Sequence, residues 1–186
     1  MKYMTPEWNK RLEHWLYTLR QDFYRPLGDI PVEAFRTMEQ LSLEEASKGQ
    51  FAPMPFGTRW GRSYEYCWMR GKITLPAEAE GKRIVMDLPA GGESALFIDG
   101  RSFGTYRAEW VNMPHHFLVD NTLTACGKAG QSFELMIEAY AGHYFPESPL
   151  ASCATGPVLP GSYHDPKTEG ERAVLGRLTY GIWNEE

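Results

Sequence analysis

Residues 91–106, GGESALFIDGRSFGTY, decide how this chain is read. They spell an apolar strand, a two-residue Asp99-Gly100 turn and a second strand, with Phe97 and Phe103 on either side of the turn. Asp-Gly is the pair that tolerates the positive backbone angles a tight hairpin demands. The glycines ahead of the hairpin, Gly91 and Gly92, read as a bend at a sheet edge, with Glu93 placed to fix that bend or to reach a neighbour.

Working outward, the same period of two recurs. Tyr64, Tyr66 and Trp68 share one face of a strand that Ile73 and Leu75 extend past Gly71; Ile84, Met86 and Leu88 alternate after a turn holding Pro76 and Gly81. HHFLVD is a further short strand, and SFELMIEAY is a clear one, with Phe133, Leu135, Ile137 and Ala139 on one face. About six strands at regular spacing, with no βαβ alternation, predict an antiparallel β-sandwich.

Helices flank it. Trp8, Leu12, Trp15, Leu16, Leu19 and Phe23 fall on one helical face, with Thr5 to cap, Pro6 at the first helical position and an end near Pro26. SLEEASKG predicts a short second helix, because Ser42 and Glu45 form a capping box and Gly49 closes the end. A C-terminal helix is expected from the Thr168–Glu171 capping pair and the Val174, Leu175, Leu178 and Ile182 stripe, weakened by Gly176 and Gly181. The expected organisation is one compact domain: a helical segment at 1–50 packing on the sandwich, the sandwich at 51–165, and a helix at 166–186. Residues 142–165 read as a long loop rich in Pro, Gly and Ser.

Composition excludes several classes. A formal net charge of −5 and no run of Lys and Arg beyond two leave no phosphate-binding footprint, so no nucleic-acid partner is expected. The N-terminus lacks the apolar core of a secretion signal, no apolar run reaches membrane-spanning length, and three widely spaced cysteines fit neither a disulfide framework nor a zinc site. A cytoplasmic chain with reduced thiols and no membrane partner is expected.

Catalytic motifs are missing too. His115 and His116 are neighbours, so on a strand they point to opposite faces and cannot share an ion. There is no Gly-x-Ser-x-Gly elbow, and Glu93 with Asp99 is no better a glycosidase pair than any other two of the 24 acidic residues. Aromatic residues remain. Trp60, Tyr106 and Trp110, with Glu93 and His115 as polar neighbours, are the candidate contacts for a carbohydrate or a partner surface.

The ordered string WGRSYEYCWMRGKITLPAEAEGKRIVMDLPAGGESALFIDGRSFGTY resembles the N-terminal β-sandwich domain of the α-mannosidases of glycoside hydrolase family 38. There a Trp-Gly loop precedes an aromatic-rich strand, a Pro turn, a strand ending near Gly-Gly-Glu, and an Asp-Gly hairpin. The resemblance runs from about Phe56 to Tyr140. It implies a mainly β, antiparallel jelly-roll, galactose-binding-like sandwich and a relation to a mannosidase. The family's His-x-His-x-Asp segment, which holds zinc in the catalytic module, has no counterpart here, so no catalytic or metal residue carries over and no cofactor is expected in this chain.

Three functions follow as expectations. The first is a non-catalytic accessory domain packing beside a catalytic glycosidase module; the second, a stand-alone carbohydrate-binding module; the third, a cupin-like metal protein. Partners are accordingly a catalytic module or a glycan, and an apolar patch left open would favour a homo-oligomer.

Overall fold

A computed structural model describes residues 5–106, 121–142, 170–171 and 173–184. In chain order its elements begin with α1 (Pro6–Phe23), β1 (Tyr24–Asp29), β2 (Val32–Thr37), α2 (Leu43–Ser47), β3 (Ala52–Met54) and β4 (Arg59–Trp60). Next come β5 (Tyr66–Thr74), a single 3-10 turn at Ala77–Ala79, β6 (Ile84–Asp87), β7 (Glu93–Ile98) and β8 (Arg101–Tyr106). Last are β9 (Thr122–Thr124), β10 (Ser132–Tyr140), β11 (Ala173–Val174) and β12 (Thr179–Trp183).

The strands make an antiparallel sandwich, as their alternating pattern predicts. One sheet has the order β3-β2-β5-β10-β7-β8 and the facing sheet β1-β12-β6-β9, while β11 and β4 form a small pair at the side. Inward-facing Met69 and Ile73 on β5, Leu96 on β7, and Leu135 and Ile137 on β10 meet Ile84 and Met86 on β6 and Tyr180 on β12. Each large apolar side chain so enclosed stabilises the fold by about 1.5–3 kcal/mol.

The bend before the β7–β8 hairpin has a steric cause. Gly91 has φ +98, and a Cβ there would lie 2.6 Å from the Val174 carbonyl oxygen; one on Gly92 would lie 2.4 Å from that of Tyr140. No side chain fits between these backbones. At the hairpin's far end Asp99 (φ 50) and Gly100 (φ 73) make the turn. Asp99 also pairs with β10, its backbone N–H donating to the Glu134 carbonyl and its Oδ1 accepting from the Glu134 N–H, both at 2.9 Å.

Helix α1 begins as its sequence predicts, with Thr5 Oγ1 accepting from the Trp8 N–H at 3.5 Å and Pro6 in the first turn. It stops at Phe23 because Pro26 disfavours helical angles at Arg25 before it, and Tyr24 turns extended (φ −122, ψ 118). The Ser42–Glu45 capping box on α2 forms in both directions.

Three expectations need correction. The C-terminal segment is extended rather than helical: Leu175 donates to Thr58 and accepts from Gly57, Gly176 donates to Pro89, and β12 inserts between β1 and β6. Thr179, Tyr180, Ile182 and Trp183 are β-formers whose backbone hydrogen bonds are met by the sheet, which overrides a loosely helical spacing. The segment 1–50 is not purely helical, since it supplies β1 to one sheet and β2 to the other; residue 50 marks no boundary. Nor does the α1 stripe pack on the sandwich: Trp8, Leu12, Trp15, Leu16 and Leu19 are all exposed. The HHFLVD strand, the 142–165 loop and Thr168 of the C-terminal capping pair lie outside the described residues.

Candidate functional site

Among the described residues, α1 meets the sandwich at its C-terminal end. Phe23 stacks on Trp183 with ring centroids 5.5 Å apart, and together with Tyr24 it covers Val85 on the outer face of the four-stranded sheet. From there the helix carries its apolar stripe into solvent, with Trp8 57% and Trp15 67% exposed. Water-facing indoles at i and i+7, joined by Leu12 and Leu19, make a ridge of the kind that another surface covers.

A second surface is the outer face of the six-stranded sheet. Strand register sets Thr37, Tyr66, Tyr140 and Glu93 in one row, and Phe35, Trp68, Glu138 and Ala95 in the next. The Tyr66 and Tyr140 rings lie 4.8 Å apart, tilted by 32°, and Trp68 stacks on Phe97 at 6.1 Å. Trp68 is fully buried, and its Nε1 has no hydrogen-bond partner among the described residues. Opposite it on β10, Glu138 has its carboxyl pushed above the usual range by burial. Burial, helped by Glu138, raises the Tyr66 phenol as well.

The residues singled out by sequence fare differently. Trp60 is a core residue, contrary to its expected place in a contact loop: its ring is fully buried beneath the Gly-Gly bend and its Nε1 donates to the Ala90 carbonyl at 2.9 Å. A ring enclosed on both faces has none to lay against a sugar. Glu93 opens β7, half-buried, with Tyr140 opposite it on β10. Tyr106 closes β8 opposite Ser94. Trp110 and His115 lie outside the described residues. The structure thus brings Glu93 and Tyr106 to the same end of one sheet.

Tyr66, Tyr140 and Glu138 were missed by sequence reasoning, although period-two alternation already sets them on the non-core faces of β5 and β10. Among the described residues no three His, Cys, Asp or Glu side chains converge as metal ligands. Cys67 is buried, its thiol pushed up to about 12 by desolvation, and Cys126 is exposed; both are unpaired. No helix among the described residues is long and apolar enough to cross a membrane.

Comparison with known proteins agrees with this architecture. Residues 27–160 match the family described as "Alpha-mannosidase, jelly roll domain", Ams1-like. Alpha-mannosidase 2C1 of Homo sapiens is 28% identical over 107 residues, which is 48% of this chain and 10% of that protein. The Mus musculus counterpart is 26% identical over 106 residues, with the same coverage. Among solved structures, a β-glucuronidase from Ruminococcus gnavus in complex with a C6-substituted uronic isofagomine superposes with TM-score 0.54 at 14% identity, over 87% of this chain and 29% of that one. The same enzyme with uronic deoxynojirimycin gives 0.53 at 14% identity, over 88% of this chain and 29% of that one. At such identity the likeness is one of fold. The stretch matched here is a small part of each of these relatives.

Proposed function

We propose a role for this chain from one premise: it belongs to the α-mannosidase jelly roll domain family, by the match across residues 27–160. It acts as a non-catalytic, N-terminal type accessory domain of a family 38 glycoside hydrolase. Its task is to pack beside a catalytic module and shape that module's sugar cleft, in the cytoplasm where Cys67 and Cys126 stay reduced. Zinc and the acid–base groups of hydrolysis belong to the module.

The observation that carries this reading is α1. A domain whose own core is closed has no structural need to hold Trp8, Leu12, Trp15 and Leu19 in water, whereas a domain covering part of a larger enzyme does. The matched relatives supply the candidate surface, since the stretch they share with this chain is 10% of their length.

The test is binding in trans to an α-mannosidase from which the matching jelly roll stretch has been deleted. Sedimentation should show a complex that Trp8→Gln with Trp15→Gln weakens about 100-fold or more, as expected when two buried indole anchors are lost. A complex indifferent to both substitutions, or none at all, would overturn the assignment of α1. A second reading, carbohydrate binding by the domain itself, is favoured by an open groove on the four-stranded sheet that mixes Tyr24 and Pro26 with Asp29, Asp87, Arg177 and Thr179.

A further inference from the structure

Every residue of the chain from Thr5 to Leu19 is exposed, and α1 packs on the sandwich through Phe23, with Tyr24 beside it. A helical segment of this length is marginal in water by itself and owes most of its stability to burial of an apolar face. Trp8, Leu12, Trp15 and Leu19 follow one another at intervals of four, three and four residues. Those are the intervals of the a and d positions by which one helix packs along another, with both indoles at d and both leucines at a. The stripe therefore fits a helix better than a sheet face or a loop.

A second copy of α1 meets that requirement when it runs antiparallel, about a two-fold axis between residues 13 and 14. Trp8 then faces Leu19 and Leu12 faces Trp15, so each indole meets a leucine; a parallel pair in register would set indole on indole. Charge favours the same arrangement. From Pro6 to Leu19, Glu7 and Glu13 balance Lys10 and Arg11, whereas the whole chain carries −5, so two copies repel least along this helix. Of these four only Arg11, whose guanidinium lies 5.4 Å from the Trp8 ring centroid, borders the seam, and the two-fold sets it against Thr18 and not against its own equivalent. An antiparallel pair also holds the two sandwiches at opposite ends of a helix about 27 Å long, where they do not collide. The exposed parts of Trp8, Leu12, Trp15, Leu16 and Leu19 on two copies come to on the order of 1,000 Å², the lower end of specific interfaces.

We propose that α1 of one copy pairs antiparallel with α1 of a second, making a weak homodimer of this chain with a dissociation constant in the micromolar range. Below that range the ridge stands in water; above it each copy covers the other. The inference rests on the reading of the α1 stripe as a docking face and adds what occupies that face when the chain is alone. A catalytic module and a second copy then compete for one ridge, and the dimer keeps the apolar stripe covered until a module takes the copy's place.

Sedimentation velocity of the full chain alone, from about 1 to about 100 μM, tests the pair. The sedimentation coefficient should rise from that of a monomer to that of a dimer, and Trp8→Gln with Trp15→Gln should weaken association about 100-fold or more. Leu12→Glu keeps a good helix former while placing carboxylates on the seam, so it should abolish the dimer; Lys10→Ala, on the outward side, should leave it unchanged. Orientation is read from spin labels on Glu7→Cys in a Cys126→Ser, Cys153→Ser background. Antiparallel helices hold the two labels more than about 20 Å apart, whereas parallel ones hold them within about 15 Å. A chain monomeric throughout, a dimer indifferent to both seam variants, or the shorter label distance would overturn the pair. Docking to a truncated mannosidase is measured with a different partner, so either result can fail without the other.

Discussion

A Cβ on Gly92 would stand 2.4 Å from the Tyr140 carbonyl oxygen, while one on Gly170 would meet nothing within 4 Å. Backbone cannot yield as a side-chain tip can, so Gly92→Ala should cost about 1–3 kcal/mol in urea unfolding, and Gly170→Ala less than about 0.5 kcal/mol. Equal effects would mean that the bend tolerates a side chain. Glu138 makes a prediction of opposite character. Its folded-state pKa is raised by burial above the ordinary 4.5, so the folded chain binds its proton more tightly than the unfolded chain. That stabilisation is complete below the unfolded value and is lost as pH rises through the folded one. Replacing the carboxyl with a neutral amide, Glu138→Gln, should therefore raise the urea midpoint at pH 7 relative to the parent protein, with the gain shrinking near pH 4. A lower midpoint at pH 7 would show that the charge is stabilised by a partner.

Individual elements show how far the sequence could be read. Strands β5, β6 and β10 were legible from apolar residues at alternate positions, and β7 and β8 from the Asp99-Gly100 turn between them; α1 and α2 were legible from caps and Pro6. Strand β2 was missed because, after Val32 and Ala34, the apolar alternation breaks at Arg36, which is exposed and paired with Glu171. Strand β12 was missed because Val174, Leu175, Leu178 and Ile182 fit a helical spacing about as well as a broken strand. Gly181→Ala separates the two readings by sign. In a helix it would stabilise by about 1 kcal/mol. In β12 it drives a methyl into the Arg25 carbonyl at 2.3 Å, so the melting temperature should fall. The amphipathic stripe of α1 was legible as well, but its exposure was not, since periodicity identifies a face and never what covers it. Because both indoles are more than half exposed, Trp8→Gln with Trp15→Gln should shift stability by less than about 0.5 kcal/mol per site. A loss of several kcal/mol in the isolated chain would mean that the stripe is already buried.

For the molecule as a whole, the candidate sites depend on distances along the chain that no local pattern reveals. Tyr24 and Thr179 are 155 residues apart and share one hydrogen bond; Trp60 and Ala90 share another across 30. Trp60 illustrates the limit, since a tryptophan beside glycine reads as a loop contact until two sheets close over it. What emerges is a sandwich with a filled interior, one helix presenting apolar side chains to solvent, and an open groove near that helix's base. Such a body is suited to holding and shaping something larger. The most direct measurement is the hydrolysis rate of an aryl α-mannoside, with zinc present, by this chain, by an α-mannosidase lacking its jelly roll stretch, and by the two together. The account predicts no product from the chain alone and a higher rate from the mixture than from the truncated enzyme, a gain abolished by Trp8→Gln with Trp15→Gln. Turnover by the chain alone that survives repurification, or a mixture no faster than the truncated enzyme, would contradict it.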